Sequence, residues 1–403
     1  MTKNNSTTKK CFIIAVIAMM TLAACTKLED TAPPRKITFD KATYRPQTKA
    51  DDPVIKSVLE EFTSFRCKAF LHASNGAEAF YDTQLMFGDY ETISPYLATD
   101  ALWTAPAQNE EAASIAYWAP SHDYFWPKGT RSYINFVAWH DNYNVDPSTV
   151  TETSLVWTNY KVQHTDDNLA FANEAWRYNG NPNSIYRKDG EGESYKAVPM
   201  LFNHALAQIC IKAQVSQTAK TNVTGGSSLG RTTWDVTLSN ITLSGVYNTG
   251  TLSLTNADPN SATTVAWSGS WTPTTSTQEN PTIETITMSD VATPLTTTAT
   301  NLLAMRSVLP QAVTNDMVLT FDFNIVTKFG TVGNEVEYAH ENVHTSIKLS
   351  DFVSTIANWE MNKRITYTVT INPETTTIKI DPAMVDWLTD SAVYPNPNQN
   401  NGN

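Results

Sequence analysis

The chain has 403 residues, 28 of them basic and 40 acidic, for a net charge of −12. An acidic chain without a basic run fits neither a nucleic-acid binder nor a protein that docks electrostatically on anionic lipid. Its four cysteines form no disulfide framework or metal knuckle, and its length leaves room for two domains, each with its own core.

The N-terminus reads as a targeting segment. Lys3, Lys9 and Lys10 make a positive start, an apolar run covers residues 11–20, and Leu22-Ala23-Ala24-Cys25 ends it with small residues before a cysteine. This is the layout of a bacterial lipoprotein signal. Cleavage is expected between Ala24 and Cys25, with Cys25 carrying the lipid, palmitate included; an ordinary secretory signal with an incidental cysteine is the alternative. The apolar run is about half as long as a membrane-spanning helix requires, so the lipid is the expected anchor, placing the protein at the outer membrane. Loss of residues 1–24 removes three lysines and no acid, which makes the mature chain more acidic still. Residues 25–36 read as a linker.

Strand signals dominate the rest of the chain. Asp52-Pro53 resembles a helix start, with Val54, Ile55, Val58, Leu59 and Phe62 at helical spacing behind it. Cys67 shares a strand parity with Phe65, Ala69 and Leu71 and reads as a core thiol. A strand is expected over residues 132–139. Thr165, Asp166 and Asp167 could open a second helix carrying Leu169, Ala172 and Trp176 and stopping at Gly180. Residues 201–215 read as one long strand, in which Cys210 points away from the face of Ala205, Ala207, Ile209 and Ile211. That orientation argues against pairing of Cys67 with Cys210, although an oxidising compartment permits it. The polar stretch 216–226 marks the expected boundary between an N-terminal domain (37–216) and a C-terminal domain (217–390).

Beyond the boundary a strand is expected over 234–243, and the Thr- and Ser-rich stretch 258–302 suggests long loops or weak edge strands. In residues 317–325 the odd positions are Met317, Leu319, Phe321, Phe323 and Ile325, a strand with one face on a core and one in water. Ser350 opens a possible third helix with Phe352, Val353, Ile356 and Trp359 on its buried side. Residues 365–371 and 376–380 flank Asn372-Pro373-Glu374 and read as a hairpin. The tail, 391–403, reads as disordered. Without strand–helix alternation, the fold class is all-β: two tandem β-sandwich domains with a few short helices.

Chemistry-bearing motifs are sparse. His340-Glu341-Asn342-Val343-His344 satisfies H-E-x-x-H, which binds zinc when the histidines lie one helical turn apart. Here the context is extended: Val336, Tyr338 and His340 share one parity, and Val343, Thr345, Ile347 and Leu349 the other. The switch predicts a turn or bulge at Glu341–Asn342, and the motif reads as coincidence. Glu360 is the only acid nearby for a third ligand. Gly190-Glu191-Gly192-Glu193 would repel phosphate. No catalytic residue, metal or cofactor is assigned, and the chain does not read as an enzyme. Trp118, Trp126, Trp139, Trp157, Trp176, Trp267 and Trp271 raise the alternative of a monomeric surface lipoprotein that binds glycans through an aromatic platform.

Taken in order, several stretches resemble the fimbrillin family, the type V pilins of Bacteroidetes. They are the lipobox at Cys25, the first strand Lys36-Ile37-Thr38-Phe39, Trp126-Pro127 leading into Ile134-Asn135-Phe136-Val137-Ala138-Trp139, and Asp167-Asn168-Leu169-Ala170-Phe171-Ala172. Leu201-Phe202-Asn203-His204-Ala205, Leu309-Pro310-Gln311, Asn358-Trp359 and Val385-Asp386-Trp387 complete the order. The acidic Glu29-Asp30 behind Cys25 is similar to the surface-export signal of such lipoproteins. The resemblance implies transthyretin-like β-sandwiches, a fimbrial location and adhesion through assembly. It also implies removal of a first strand around Ile37–Phe39 by a trypsin-like protease, and its replacement by a C-terminal strand from another pilin subunit. Arg45, followed by Pro46, and Lys49, followed by Ala50, are the candidate processing sites. The donor would be the segment 376–387, interrupted by Pro382. Partners would be other subunits, the outer membrane through the lipid, and a host or bacterial surface ligand.

Overall fold

In a computed structural model the structure describes residues 37, 39, 43–44, 64–72, 83–85, 90–97, 115–124, 133–165, 167–177, 198, 200–224, 227–257, 267–275, 277, 282–289, 291–302 and 305–387. Contacts divide the chain into a small unit, residues 1–37 with 123–126, and a large unit holding the rest. In the small one, Ile37 N–H donates to the Tyr124 carbonyl at 2.8 Å.

The large unit is built from strands, which form four sheets among the described residues. Across the first sheet run β1 (Thr43–Tyr44), β10 (Leu201–His204), β9 (Ala170–Arg177), β6 (Tyr133–His140), β2 (Phe65–His72), β4 (Glu91–Leu97) and β5 (Ile115–Pro120), with β3 (Thr83–Leu85) also on β2. The second holds β18 (Thr300–Asn301), β11 (Ala207–Val215), β22 (Lys363–Asn372) and β23 (Thr377–Asp386), with β19 (Arg306–Val308) on β11. The third holds β12 (Ala219–Thr224), β13 (Ser227–Tyr247), β20 (Val318–Thr331) and β21 (Asn334–Lys348), and β16 (Ile283–Ser289) and β17 (Thr293–Pro294) pair with β13. The fourth holds β15 (Trp267–Pro273), β14 (Thr249–Asn256), β8 (Ser154–Lys161) and β7 (Thr149–Val150). The fold is all-β and sandwich-like, as the alternating patterns predict.

Two apolar clusters of the described residues show where the alternation comes from. Leu319, Phe321, Phe323 and Ile325 of β20 meet Ile365, Tyr367, Val369 and Ile371 of β22 and Ile209 and Ile211 of β11 in one cluster. The intervening β22 threonines are half-buried on the other face, so the period of two follows from one dry face. The second cluster gathers Trp139 of β6, Phe171 of β9, Trp157 and Tyr160 of β8, Leu252 and Leu254 of β14, and Trp271 of β15. Full burial of such a side chain contributes roughly 1.5–3 kcal/mol. β8 pairs with β14 from Ser154↔Thr255 to Lys161↔Thr249, and β11 pairs in parallel with β22. Both ladders join residues on either side of the polar stretch 216–226.

Long strands bend at defined points. β13 shifts register against β20 between Ser239 and Thr242, and against β16 between Leu243 and Val246. Asn240 and Gly245 take left-handed φ values of 52° and 77° there. A Cβ on Gly245 would lie 1.9 Å from the Asp316 carbonyl oxygen, so the close approach of the two strands requires glycine.

Several expected elements differ. The helix predicted from Thr165 is instead β9, central in its sheet and paired with both β6 and β10. Leu169, Ala170, Phe171 and Ala172 are all buried, and a strand dry on both faces loses its alternation. The helix predicted from Ser350 is a single 3₁₀ turn, Leu349–Phe352, although Ile356 and Trp359 are buried as expected. The helix predicted behind Asp52-Pro53 lies outside the described residues. The strand predicted over 201–215 breaks at Ala205-Leu206 into β10 and β11, which belong to different sheets. Cys67 and Cys210 are both buried and carry no disulfide; burial pushes the Cys67 thiol up, and the Cys210 thiol donates to Asn301 Oδ1 at 3.3 Å.

Candidate functional site

The site is the outer edge of β10. Phe39 is fully buried and forms a parallel bridge with Val198. Farther along, β1 continues the same direction, with Thr43 opposite Leu201 and Tyr44 opposite Phe202. The Phe39 ring stands edge-on to Phe65 at 5.8 Å and to Phe136 at 5.2 Å, and Phe65 meets Phe202 at 5.3 Å. Edge-to-face packing of this kind adds to the burial of each ring. Phe39 and β1 thus cover a sheet edge and an aromatic cluster, with three residue pairs among the described residues. Without it, the outer side of Leu201 and Phe202 would lose its ladder, and Phe65, Phe136 and Phe202 their lid. Of the predicted processing and lipidation residues, Ala24, Cys25, Arg45 and Lys49 all lie outside the described residues. Arg45 follows Tyr44 directly in the chain.

The C-terminal strand is docked on its own chain. β23 pairs with β22 from Thr377↔Asn372 to Asp386↔Lys363. Pro382, expected to interrupt this segment, sits opposite Tyr367 within an unbroken ladder. It is tolerated because β23 is, among the described residues, the last strand of its sheet and has a side that needs no N–H. Trp387 closes the strand. Its ring stacks on the His204 imidazole, with centroids 4.0 Å apart and planes 7° apart, and its N–H donates to the Asn362 carbonyl at 3.0 Å. His204 Nδ1 lies 2.8 Å from Asn168 Oδ1. Burial, with Arg364 and His140 nearby, holds its pKa well below the ordinary histidine range, so the stacked ring is neutral. Val385-Asp386-Trp387 stands out in the sequence, but its contact with His204 does not.

A second buried polar group has no signal in the sequence. Tyr160 Oη lies 3.0 Å from Asp141 Oδ1 and 2.7 Å from Asp167 Oδ1. One hydroxyl proton thus serves two carboxylates, while Gln163 N–H donates to Asp167 Oδ2 at 2.9 Å. Burial, opposed by these bonds and aided by Asp141, pushes the Asp167 carboxyl up to about 6. Burial and the two carboxylates push the Tyr160 hydroxyl far above its usual range.

The other sequence leads fall on ordinary surfaces and cores. His340, Glu341 and His344 lie on β21, which is one strand without a turn. The parity switch arises from a bulge at Tyr338, where Thr327 faces Ala339 and Lys328 faces Glu337, three residues before the expected place. In a strand, residues four apart are separated by about 13 Å, too far for one metal ion. His344 Nδ1 pairs with Asp322 at 2.6 Å, and His340 Nε2 lies 2.6 Å from Asn324 Nδ2. Trp139, Trp157 and Trp271 are core residues. Their indole N–H groups donate to Asp146 Oδ1, the Val145 carbonyl and the Ala205 carbonyl at 3.0, 3.2 and 2.7 Å. Trp267 is half-buried, and the side chains of Trp118, Trp126 and Trp176 lie outside the described residues.

No protein-family model matches the chain, and no curated protein matches it. Among solved structures it is similar to a fimbrial protein of Bacteroides vulgatus, with 15% identity, TM-score 0.46, and coverage of 88% of this chain and 99% of that one. A candidate cell adhesion protein of Bacteroides uniformis gives 14% identity, TM-score 0.40 and coverage of 87% and 99%. A fimbrial assembly protein of Parabacteroides distasonis gives 8% identity, TM-score 0.32 and coverage of 87% and 99%.

Proposed function

We propose that this chain is a fimbrillin-type pilus subunit that acts in adhesion through assembly and not through catalysis. It is exported as a lipoprotein on Cys25 to the outer membrane and built into a fimbrium by strand exchange. The observation that carries this reading is the strand at the β10 edge. Phe39 fills an aromatic cluster, and among the described residues the ladder that holds β1 is two residue pairs long. A segment that seats a buried aromatic side chain at a sheet edge, with candidate trypsin sites behind it at Arg45 and Lys49, can be cut and replaced. An extended strand from another copy then gains both the backbone pairs and the pocket. The donor is the C-terminal segment from residue 376 onward, whose β23 must first leave β22. The division into an N-terminal domain to 216 and a C-terminal domain from 217 belongs to the same proposal, with β14 and β15 of the second part contributing to the core of the first, so that the two are not separable.

The test is limited trypsin treatment of the purified chain without its leader, followed by N-terminal sequencing and an unboiled SDS gel. A new N-terminus between Lys41 and Lys56 with an SDS-resistant ladder is expected. A monomer that keeps its first strand would remove the exchange and leave a surface lipoprotein.

A further inference from the structure

We infer that β10 couples the two ends of the chain: loss of the N-terminal strand loosens the seat of Trp387 and so frees β23 for a neighbouring copy. The inference rests on the strand-exchange reading above and adds a regulation to it, the order in which acceptor and donor become available.

β10 has four residues, and its two halves have different backbone partners. Leu201 and Phe202 pair with β1, whereas Asn203 and His204 pair with Phe171 and Ala170 of β9. Removal of β1 takes away the ladder of the first half and leaves, among the described residues, the two pairs to β9 as the remaining ladder of the strand. The same strand carries the C-terminal latch, because His204 is its last residue and Trp387 lies flat on that imidazole.

A second path runs through the bend after His204. Ala205 N–H donates to the Leu169 carbonyl at 2.8 Å, Asn362 N–H to the Leu206 carbonyl at 3.0 Å, and Trp387 N–H to the Asn362 carbonyl at 3.0 Å. Trp387 is thus seated on His204 itself and on Asn362, which is hydrogen-bonded to Leu206. Trp387 is 5% exposed, so displacement of His204 would uncover its ring. Among the described residues β23 is the last strand of its sheet, held by β22 on one side, by Ile380 in the core beneath it and by this seat at its end.

Coupling needs an element with two arrangements that both sites bias. β10 supplies one: docked between β1 and β9, or held by β9 alone. Linkage makes the effect reciprocal. If undocking β1 weakens the Trp387 seat, removing Trp387 must weaken the hold on β1 by the same factor.

The test is hydrogen exchange by mass spectrometry on the unprocessed mature chain, kept monomeric, comparing the parent with Thr43→Pro, Phe39→Asp and Trp387→Ala. Thr43→Pro puts a proline into β1 while leaving the Phe39 side chain in place, so it serves if Phe39→Asp does not fold. Undocking β1 should speed exchange in 377–387 about tenfold, and Trp387→Ala should speed exchange in 39–44 by a matching factor. Exchange in β20 should stay at the parent rate in each case, and Trp387→Phe should restore most of the protection. Variants that loosen their own segment while the other keeps its parent rate overturn the inference, as does a loss of protection shared by β20. Failure is separable from failure of the pilus reading. A chain that ladders after trypsin without this coupling loses the coupling alone, and one that shows the coupling but never ladders loses the pilus role alone.

Discussion

Along β10 the outer edge is covered by β1 and plugged by Phe39, whereas along β21 the outer edge is left open. β21 pairs with β20 and, among the described residues, with no strand beyond it. Its fifteen residues carry Glu335, Glu337 and Glu341, and the bulge at Tyr338 interrupts its register. Val336 and Tyr338 are 70% and 81% exposed there. Charges and bulges are the usual means of keeping an edge from adding strands. The β10 edge has the reverse chemistry, an aromatic pocket that needs an occupant. An open edge can be safe and a covered one reactive, because the side chains beside the backbone groups decide whether a strand gains by docking.

The largest expected effect comes from separating the two edges physically. A fragment ending at 216 keeps the β10 edge but lacks β14 and β15, which complete the core around Trp139, Trp157 and Tyr160. It should lack cooperative unfolding and near-ultraviolet dichroism, while the intact chain nicked within 216–226 should hold together on a sizing column. A fragment that folds by itself would make the N-terminal domain independent. Next in size is Phe39→Ala, which empties the pocket without cutting the chain. Truncation of a buried phenylalanine costs about 3–5 kcal/mol, read as a lower urea midpoint. A loss below about 1 kcal/mol would mean that the plug does not hold the edge.

The open edge is more legible in the sequence than the covered one. β20 and β22 each have one wet face, so alternation prints their burial directly into residues 317–325 and 365–371. β9, which backs β10, is dry on both faces around Phe171 and Ala172, and its apolar run mimics helical spacing. The bulge at Tyr338 shows in the sequence as a parity change, but the pattern points to Glu341, because it marks where the apolar parity resumes and not where the extra residue sits. The first strand is visible only through its order among other stretches. The stack of Trp387 on His204 and the sharing of Tyr160 by Asp141 and Asp167 leave no local signal, since each joins side chains from separate elements.

The frame behind β10 can be strengthened without touching either edge. Asp167 precedes β9, and its carboxyl titrates at about 6 in the folded chain against an ordinary value of 3.8. A raised carboxyl pKa means that its contribution is fully present below about pH 4 and lost as pH rises through 6. Asp167→Asn should therefore be more stable than the parent at pH 8, by about 2 kcal/mol once the discarded charge-assisted bonds are allowed for. At pH 4 the two should unfold alike. The new amide can accept from Gln163 N–H and donate to the Tyr160 oxygen, which leaves the hydroxyl proton for Asp141. Thermal melts from pH 4 to 8 decide the point, and a parent curve flat across that range would remove the shared-proton account.

The smallest effect on stability should accompany the largest effect on association. Replacing Glu335, Glu337 and Glu341 by threonine removes three charges from β21 and raises its strand preference. Glu341 gives up the bond it accepts from the Thr376 hydroxyl at 3.1 Å, and Glu335 its contact with Arg231 at 3.7 Å. The Glu341 bond is exposed, whereas Glu335 is 14% exposed and also accepts from the Gly333 N–H at 3.0 Å, so the unfolding midpoint should fall only slightly, for a loss of about 1 kcal/mol. The open edge, however, would keep exposed Val336 and Tyr338 while losing the repulsion that separates copies. Light scattering should then show concentration-dependent association in the variant without protease treatment, while the parent stays monomeric. Association should fall when a lysine is placed at Tyr338, because the charge would stand where the apolar contact forms. If the triple variant remains monomeric, the bulge alone guards β21, and a register repair that deletes Tyr338 becomes the change expected to open it.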